Sequence, residues 1–354
     1  MKSIILSCLL LCYALTAFCS PDINRVERKI NKSFQISKEA QLQVSNKYGN
    51  ITIVTWNKNE INFDIQIVGK ADRADDAQKL ADRADIKFSQ TGNMVSAETI
   101  FSEIKNIRGN QSTEVNYTIS LPESVSMDLN NKYGNIQLEN TSQKFTCNVK
   151  YGNLWANLLT GKSSIDCKYG NIKAVQITTG NITLGYGNLS VDKADDLIVS
   201  TSYSKVKIGS INKLDATSKY DNYDMGTVGS MKLTSGSYGN FYLAKLTGSF
   251  VAPDIRYGKI RIPEIASDFD NIEINAGYTN IKLGISKQAS CKADFSTRYG
   301  DIDISKQLDT SKLKFSDKEE SRYTRTATGI IGSSSNPKST LKVYNTYNDI
   351  NIGE

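Results

Sequence analysis

A tripeptide, Tyr-Gly-Asn or a close variant, recurs along the chain of 354 residues and restricts its fold more than any other feature. The tyrosines of this tripeptide are Tyr48, Tyr133, Tyr151, Tyr169, Tyr186, Tyr203, Tyr220, Tyr238, Tyr257, Tyr278, Tyr299 and Tyr347. From Tyr133 to Tyr299 they follow one another at steps of 17 to 21 residues. A regular step of that length is typical of a repeat architecture, in which one small structural unit is stacked many times.

Each repeat unit has the pattern of two strands joined by a corner. Apolar or small residues alternate with polar ones before the tyrosine, as at Ile165 and Cys167, and the alternation resumes three residues after it, as at Leu189. A period of two indicates strands. The change of phase across the tripeptide indicates a bend, for which Gly170 and Asn171 are predicted to adopt positive φ.

A repeat unit this short cannot bury its own apolar face, so successive coils must stack on one another. The sequence therefore predicts an all-β fold, a parallel single-chain β-solenoid with coils about 4.8 Å apart. We expect a right-handed β-helix, because parallel crossovers are overwhelmingly right-handed.

The residues of the corners are expected to form ladders along the solenoid. The predicted structural corners are Tyr133, Gly134, Asn135, Tyr151, Gly152, Asn153, Tyr169, Gly170, Asn171, Tyr186, Gly187 and Asn188. We expect the tyrosine rings to stack along an inner corner, because the alternation places them on the core face. The asparagines are expected to form an amide ladder.

The two ends of the chain differ from its middle, and the sequence predicts four parts. Residues 1–19 are predicted to be a signal peptide, 20–125 an N-terminal β-rich cap, 126–305 the solenoid, and 306–354 a C-terminal hairpin with a closing coil. The cap contains one helix candidate at about residues 72–84, rich in alanine and charge, with Asp72 as its N-cap. Such a cap protects the open end of a solenoid.

The first residues have the pattern of an export signal. Lys2 supplies the positive charge, a short apolar run follows at residues 4–18, and small residues precede Pro21. The run is too short to span a membrane, and no second apolar stretch follows it. Two outcomes stay open: cleavage after Cys19, or processing that makes Cys19 a lipidated N-terminus.

Three cysteines, Cys147, Cys167 and Cys291, remain after the signal. Cys147 lies four residues before its corner tyrosine and Cys167 lies two before its own, so stacked coils place them diagonally, with Cα atoms about 8 Å apart. A disulfide requires less than about 7 Å. Free, buried thiols are therefore expected.

The order of these features resembles a known group of proteins. The signal is followed by Lys-Tyr-Gly-Asn-Ile-Thr-Ile-Val-Thr-Trp at residues 47–56, a helix-containing insertion and tandem Tyr-Gly-Asn-Ile strands. The chain resembles the "putative adhesin" or β-strand-repeat family of Bacteroidota, which is related to auto-transporter adhesin head domains. The resemblance covers nearly all of the mature chain.

The resemblance implies an exported, non-catalytic β-helical protein in the periplasm, outer membrane or cell surface of a Gram-negative bacterium. It supplies no catalytic residues to carry over. The corners Tyr203-Ser204-Lys205 and Tyr220-Asp221-Asn222 depart from the family motif and are expected to weaken the ladder locally.

The absence of histidine narrows the range of functions. It excludes Ser-His-Asp and Cys-His nucleophilic catalysis and removes the commonest transition-metal ligand. No cofactor, metal site or catalytic residue is predicted, and a formal charge of +6 is too small to indicate nucleic acid. No transmembrane segment is expected once the signal is removed.

Two classes of function are consistent with this composition. The first is a non-catalytic scaffold that presents repeated outer faces to a glycan, an envelope component or another protein. The alternative is a β-helical polysaccharide-lyase-type enzyme, which needs only Lys, Arg and carboxylates. Short coils leave little chain from which to build a cleft, and this favours the scaffold.

Basic residues directly precede several corner tyrosines and point outward by parity. They are Lys47, Lys132, Lys150, Lys168, Lys219, Arg256 and Arg298. Lys132, Lys150 and Lys168 fall in consecutive coils, about 4.8 Å apart. One interpretation is that exposed lysines keep the strands soluble and prevent edge pairing. The other is a positive surface-contact patch for a repeating polyanion, such as an acidic glycan or lipid head groups.

Overall fold

The structure, a computed structural model, describes residues 23–37, 39–104, 109–317 and 323–353. The predicted signal peptide at 1–19, with Cys19, lies outside the described residues. Within them, 26 strands and one helix form an all-β parallel solenoid with a β-rich N-terminal cap. The predicted fold class is thus confirmed.

The N-terminal part contains seven strands and the helix. They are β1 (Asn24–Gln35), β2 (Gln41–Lys47), β3 (Ile51–Thr55), β4 (Glu60–Ala71), α1 (Ala74–Asp82), β5 (Ala84–Thr91), β6 (Met94–Phe101) and β7 (Gln111–Leu121). Strand β4 pairs antiparallel with both β1 and β7, and β5 pairs antiparallel with β6.

Helix α1 covers the cap through a narrow apolar face. Ala77 and Leu80 are buried together with Ala71 of β4. A Cβ at Gly69 would lie 2.1 Å from the carbonyl oxygen of Ala77, so glycine allows the helix backbone to rest directly on the strand. The N-cap is Arg73 rather than the expected Asp72. The Asp72 carboxylate instead accepts a hydrogen bond from the N–H of Asn110 at 3.1 Å, which holds it away from the helix.

The solenoid proper consists of parallel strands that pair with their equivalents in the neighbouring coils. They are β8 (Ser126–Lys132), β9 (Ile136–Thr141), β10 (Phe145–Lys150), β11 (Leu154–Lys168), β12 (Asn171–Gly185), β13 (Asn188–Ser202), β14 (Lys205–Lys219), β15 (Asn222–Ser237), β16 (Asn240–Leu246), β17 (Phe250–Arg256), β18 (Lys259–Ile265), β19 (Asn271–Gly277), β20 (Asn280–Ile285), β21 (Cys291–Arg298) and β22 (Ile302–Ile304). The C-terminal strands are β23 (Lys312–Asp317), β24 (Thr324–Ile331), β25 (Ser339–Thr346) and β26 (Ile350–Ile352).

In the middle of the rod a single strand of 15 residues runs from one tyrosine corner to the next. Within β12 the buried side chains step by two from Ile172 to Ala174, by three to Ile177, and by two again from Ile182 to Leu184. The steps of three mark further bends inside the coil. They keep the apolar residues of every side directed into one continuous core.

The coils do not stack strictly in chain order, which differs from the expected succession. The C-terminal coil, β25 and β26, is inserted between the coil of Tyr278 and the coil of Tyr299, and it pairs in parallel with both. Its Leu341 and Val343 are fully buried. Strand β22, by contrast, lies at the end of the stack, where Ile302 and Ile304 are half-buried and Asp303 is exposed. Beside it, β24 pairs antiparallel with β21, and β23 pairs antiparallel with β24.

The N-terminal end has an equivalent arrangement. Strands β2 and β3, which flank the corner at Tyr48, lie between β6 and β7 on one side and β8 and β9 on the other. The corner at Tyr48 is therefore a neighbour of the corner at Tyr133, although more than 80 residues separate them.

Candidate binding surface

All twelve corner tyrosines have positive φ, between 53° and 64°. Gly170 and Asn171, which were expected to take that conformation, do not. A left-handed residue turns its side chain out of the alternation of a strand, so Tyr151 points outward although Val149, two residues earlier, is buried. The expectation that the tyrosines lie on the core face is therefore wrong: Tyr151 is 43% exposed.

The outward rings form one ladder along the rod. Adjacent ring centroids lie 4.5–5.2 Å apart, and the planes of the corner rings are within 13° of parallel. In space the order is Tyr48, Tyr133, Tyr151, Tyr169, Tyr186, Tyr203, Tyr220, Tyr238, Tyr257, Tyr278, Tyr347 and Tyr299. We name this set the tyrosine ladder.

Each end of the tyrosine ladder meets a further aromatic ring. Phe101 lies edge-on to Tyr48 at 5.7 Å and carries the guanidinium of Arg83 at 5.0 Å. Tyr323 stacks on Tyr299 at the other end, at 4.9 Å. With a coil spacing of about 4.8 Å, the twelve rings extend over about 50 Å.

Nine of the twelve corners fall into two types, which differ in the hydrogen bond made by the backbone N–H of the residue two places after the tyrosine. In the asparagine corners, at Tyr133, Tyr151, Tyr169 and Tyr186, the N–H of the asparagine donates to the side-chain Oδ1 of the asparagine one coil earlier, at 2.9–3.1 Å. In the last three of these corners the Nδ2 group donates to the same oxygen, at 2.6–2.9 Å. This is the amide ladder that the sequence predicts.

The other type, the carbonyl corners, occurs at Tyr203, Tyr220, Tyr238, Tyr257 and Tyr278. There the equivalent N–H donates to a backbone carbonyl of the preceding corner at 3.0 Å, as from Lys205 to Gly187 and from Asn222 to Ser204. Ring stacking continues unchanged, at 4.9 Å between Tyr186 and Tyr203 and 4.8 Å between Tyr203 and Tyr220. The ladder is therefore not weakened where the motif departs from Tyr-Gly-Asn.

Glycine follows the tyrosine in the asparagine corners because the backbones of adjacent coils approach closely. A Cβ at Gly152 would lie 1.9 Å from the carbonyl oxygen of Gly134, and one at Gly170 would lie 1.7 Å from that of Gly152. Two of the carbonyl corners keep glycine, and a Cβ at Gly258 would lie 2.3 Å from the carbonyl oxygen of Gly239. The other three accept side chains at this position. Ser204, Asp221 and Thr279 stand there, and all three are buried.

Asp221 is the centre of a buried polar cluster that sequence reasoning did not identify. Its carboxylate accepts hydrogen bonds from the N–H of Ser204 at 2.7 Å and of Lys219 at 2.8 Å. The hydroxyls of Thr201 and Ser218 donate to it at 2.7 and 2.8 Å. The only sequence signal was aspartate in place of the corner glycine. The cluster lies inside the coil and is structural.

Lysines stand beside the first rings of the tyrosine ladder. Lys47, Lys132, Lys150 and Lys168 occupy the same register position in four adjacent coils. We name them the lysine column. The sequence indicated the last three as consecutive, and Lys47 joins them because β2 pairs with β8. Its signal was the Lys-Tyr-Gly-Asn sequence that it shares with the others.

The ammonium groups of three lysines of the column lie over the tyrosine that follows each of them. The distances from Nζ to the ring centroid are 4.6 Å for Lys47 and Tyr48, 4.9 Å for Lys132 and Tyr133, and 5.4 Å for Lys150 and Tyr151. Such contacts are favourable for a cation at the face of an aromatic ring. Beyond Lys168 the register position holds Gly185, Ser202, Lys219, Ser237, Arg256, Gly277, Thr346 and Arg298.

The three cysteines of the described chain are free and buried, as the predicted register requires. Cys147 pairs with Ile165, and Cys167 pairs with Val149, so the two thiols are offset by one step of the alternation. Burial raises the pKa of Cys147, that of Cys167 to about 11 and that of Cys291 to about 12. Thiols with a raised pKa are poor nucleophiles near neutral pH.

Clusters of metal ligands and membrane-spanning helices are both absent from the described residues. Among them, no three His, Cys, Asp or Glu side chains come together in a way that could hold a metal ion. None of their helices has the length and apolar character needed to cross a bilayer. A shallow groove beside the tyrosine ladder is lined by Gly187, Asn188, Tyr203, Ser204, Lys205, Tyr220 and Asn222, where Lys205 interrupts the amide ladder.

Comparison with solved structures finds similar chains with very different sequences. A "putative adhesin" from Parabacteroides distasonis is 11% identical, with a TM-score of 0.38 over 72% of this chain and 96% of that one. A "putative lipid binding protein" from the same species is 13% identical, with a TM-score of 0.34 over 73% and 96%. A "putative adhesin" from Bacteroides fragilis is 13% identical, with a TM-score of 0.26 over 72% and 96%.

Two of these three names contain the word adhesin, which is also in the name of the family that the sequence resembles. A scan against protein families and a search of curated proteins find no match.

Proposed function

We propose that this chain is an exported, non-catalytic scaffold of the cell envelope that binds an extended partner along its tyrosine ladder. The observation that carries the proposal is the exposure of the ladder. Eleven of its twelve rings are 40–51% exposed, in one contiguous strip that follows the rod. Contiguous apolar patches of this kind on a protein surface mark interaction sites.

Stacking of the tyrosine rings on one another would not by itself require the rings to be exposed to solvent. Ring–ring contacts would stabilise the coils equally if the rings were turned inward, where burial would add more free energy. The left-handed backbone instead directs every ring toward solvent, at a cost of about 1 kcal/mol or more per residue. A cost repeated at twelve corners supports a role for the outward surface.

An envelope location follows from the predicted signal and the adhesin resemblance. The periplasm, the outer membrane and the cell surface of a Gram-negative bacterium are all compatible with it. The "lipid binding" and "adhesin" names of similar structures refer to binding proteins, and this is the class of function proposed for the present chain.

The experiment compares two double variants of the mature chain. Tyr151→Asn with Tyr169→Asn removes two adjacent rings and keeps a residue that tolerates positive φ, whereas Tyr151→Phe with Tyr169→Phe keeps both rings. Binding is measured on purified polysaccharides and outer-membrane components. We expect the asparagine variant to lose binding and the phenylalanine variant to keep most of it. Wild-type binding by the asparagine variant would contradict the proposal.

The lyase-type alternative is tested with the same protein. A lyase acting on uronic-acid polysaccharides forms an unsaturated product that absorbs ultraviolet light. We expect no such absorbance. Activity that disappears when one local group of Lys and Arg residues is changed would replace the scaffold with an enzyme.

A further inference from the structure

The lysine column is restricted to one half of the tyrosine ladder. Between Lys47 and Lys168 every register position is a lysine, whereas after Lys168 no two adjacent positions are basic. If these lysines served only solubility, both halves would need them equally. Adjacent like charges on neighbouring strands also repel one another. The clustering therefore points to a partner that neutralises several charges at once.

No acidic side chain of the described residues pairs with the lysine column. The ion pairs of the rod involve other lysines, such as Lys213 with Asp196 and Lys245 with Glu264. Asp166, two residues before Lys168, is the acidic residue nearest to it along its strand, and no ion pair joins them. Three of the four ammonium groups, those of Lys47, Lys132 and Lys150, thus lie over tyrosine rings, and Lys168 is exposed. All four remain available to an external anion.

The tyrosine ladder restricts the chemistry of that anion. Its rings are stacked face to face, so most ring faces are occupied by neighbouring rings. Nucleic-acid bases bind to proteins by stacking on open aromatic faces, which the interior of this ladder does not offer. Outward, the ladder presents ring edges and phenol hydroxyls, which suit a ligand rich in hydroxyl groups.

We infer that the lysine column and the adjacent rings of Tyr48, Tyr133, Tyr151 and Tyr169 bind a linear acidic polysaccharide that lies parallel to the rod axis. Its repeated carboxylate groups would meet the ammonium groups, and its hydroxyls would meet the phenols. This inference rests on the proposed function and names the class of ligand for one half of the ladder.

The experiment uses polygalacturonate as the probe and compares two triple variants. Lys132→Gln, Lys150→Gln and Lys168→Gln change the lysine column. The control, Lys219→Gln, Arg256→Gln and Arg298→Gln, removes the same charge from isolated positions of the same register line. Affinity is measured at low and high salt, with circular dichroism as the check that each variant folds.

We expect wild type to bind polygalacturonate, with an affinity that falls as salt is raised. Each exposed charge pair contributes a factor of about two to three, so the column variant should bind about tenfold more weakly and the control within about twofold of wild type. Equal loss in both variants, or no loss in either, would overturn the inference. Tighter binding to neutral dextran, anionic lipid vesicles or single-stranded DNA would also overturn it.

A gain-of-function pair gives a second, independent measurement. Gly185→Lys with Ser202→Lys would join Lys168 to Lys219 in one continuous column. A Cβ at Gly185 meets nothing closer than 3.6 Å, so a side chain fits there. We expect affinity for polygalacturonate to rise about fourfold or more, and longer oligomers to gain most. Unchanged affinity in a folded variant would count against a linear ligand along the axis.

The two proposals fail in different ways. If the tyrosine variants abolish binding to some other partner while the lysine variants do not matter, the scaffold stands and the acidic polysaccharide is rejected. If the tyrosine variants leave all binding intact, the ladder is not the binding surface and the proposed function fails as well.

Discussion

The asparagine corners and the carbonyl corners hold the same tyrosine ladder over different interiors. Ring centroids are 4.9 Å apart between Tyr151 and Tyr169 and 4.8 Å apart between Tyr203 and Tyr220. Beneath the first pair, glycine backbones nearly touch, whereas a buried carboxylate lies beneath the second. The ladder is therefore fixed by strand spacing and by the left-handed tyrosine, and the motif around the tyrosine can change.

The lysine column falls only in the half with asparagine corners and at Tyr48. One half thus combines the lysine column with the amide ladder. The other combines isolated basic residues with the carbonyl corners, where Asn240 Nδ2 still donates to Asn222 Oδ1 at 2.7 Å. Changes made separately in each half can show which parts serve the fold and which serve binding.

The largest expected effect is the loss of the carboxylate beneath the carbonyl corners. Asp221→Ala leaves the N–H groups of Ser204 and Lys219 and the hydroxyls of Thr201 and Ser218 without their acceptor. We expect the free energy of unfolding to fall by about 3–5 kcal/mol. The measurement is urea unfolding followed by circular dichroism.

The control for this prediction is Asp224→Ala, three residues further on and only half-buried. We expect it to change stability by less than about 0.5 kcal/mol. Equal stability of Asp221→Ala and Asp224→Ala would mean that the buried cluster does not hold the carbonyl corners.

The next largest effect is expected at the corner glycines. In Gly152→Ala the Cβ would lie 1.9 Å from the carbonyl oxygen of Gly134, so two backbones would have to separate. We expect a loss of about 2–3 kcal/mol in the free energy of unfolding. Thermal and urea unfolding both report it.

Two variants sharpen this prediction. Gly185→Ala meets only Ser202 Oγ at 3.6 Å, and it should be neutral or stabilise by up to about 1 kcal/mol. Ser204→Ala, in a carbonyl corner, should lose the hydroxyl that donates to the carbonyl of Ser202 at 2.8 Å and lies 3.5 Å from that of Leu184, about 1 kcal/mol. A loss at Ser204 as large as that at Gly152 would show that the two corner types do not differ in space.

A smaller effect, equal in both halves, is expected from the rings themselves. Tyr151→Asn and Tyr203→Asn each remove two stacked contacts and keep a residue that adopts positive φ with little strain. Each should lower the free energy of unfolding by about 1–2 kcal/mol. Tyr151→Phe keeps the ring and should cost less than about 0.5 kcal/mol. A loss of stability in Tyr151→Asn without one in Tyr203→Asn would mean that ring stacking stabilises the fold only where Gly-Asn follows the tyrosine.

Much of this fold could be predicted from the sequence, because the spacing of the repeat and the alternation of apolar residues report on strand pairing. The register of Cys147 against Cys167 and the alignment of Lys132 with Lys150 followed from the distance of each residue to its tyrosine. Both depend only on counting along a strand of period two.

The direction of the tyrosine rings could not be predicted in that way. Counting assumes that every residue continues the alternation, and a single left-handed residue breaks it. Glycine is the usual residue for positive φ, so the sequence favours Gly170 rather than Tyr169 as the residue that makes the bend. The close approach of the coils, which is the actual reason for the glycine, is visible only in three dimensions.

The order of the coils at the two ends could not be predicted from the sequence either. The coils of Tyr347 and Tyr299 carry equivalent motifs, and periodicity does not show which lies outermost. The choice depends on burial: β25 and β26 are covered on both sides, whereas β22 is half-exposed. The lysine column gained Lys47 by the same kind of long-range pairing.

The smallest expected effect is the change of the free energy of unfolding with pH. It arises from the buried thiols, which lie in both halves of the rod. Burial raises the pKa of Cys147 well above its usual value, that of Cys167 to about 11 and that of Cys291 to about 12, while the same thiols in the unfolded chain ionise near 9. Between these values the folded chain holds more protons than the unfolded one, so stability falls as pH rises above about 8.5. At a pH equal to the pKa of the thiol in the unfolded chain, each cysteine should lower the free energy of unfolding by about 0.4 kcal/mol.

Melting temperature measured from pH 7.5 to about 9.5 checks this prediction, below the range in which most tyrosines ionise. Cys291→Ala, near the C-terminal end, and Cys147→Ala, in the half with asparagine corners, should each reduce the slope by about one third, because each removes one of three thiols that resist ionisation. A slope that neither variant changes would assign the pH dependence to other groups. The buried phenols Tyr117 and Tyr223 are the first of these, because burial raises the pKa of both.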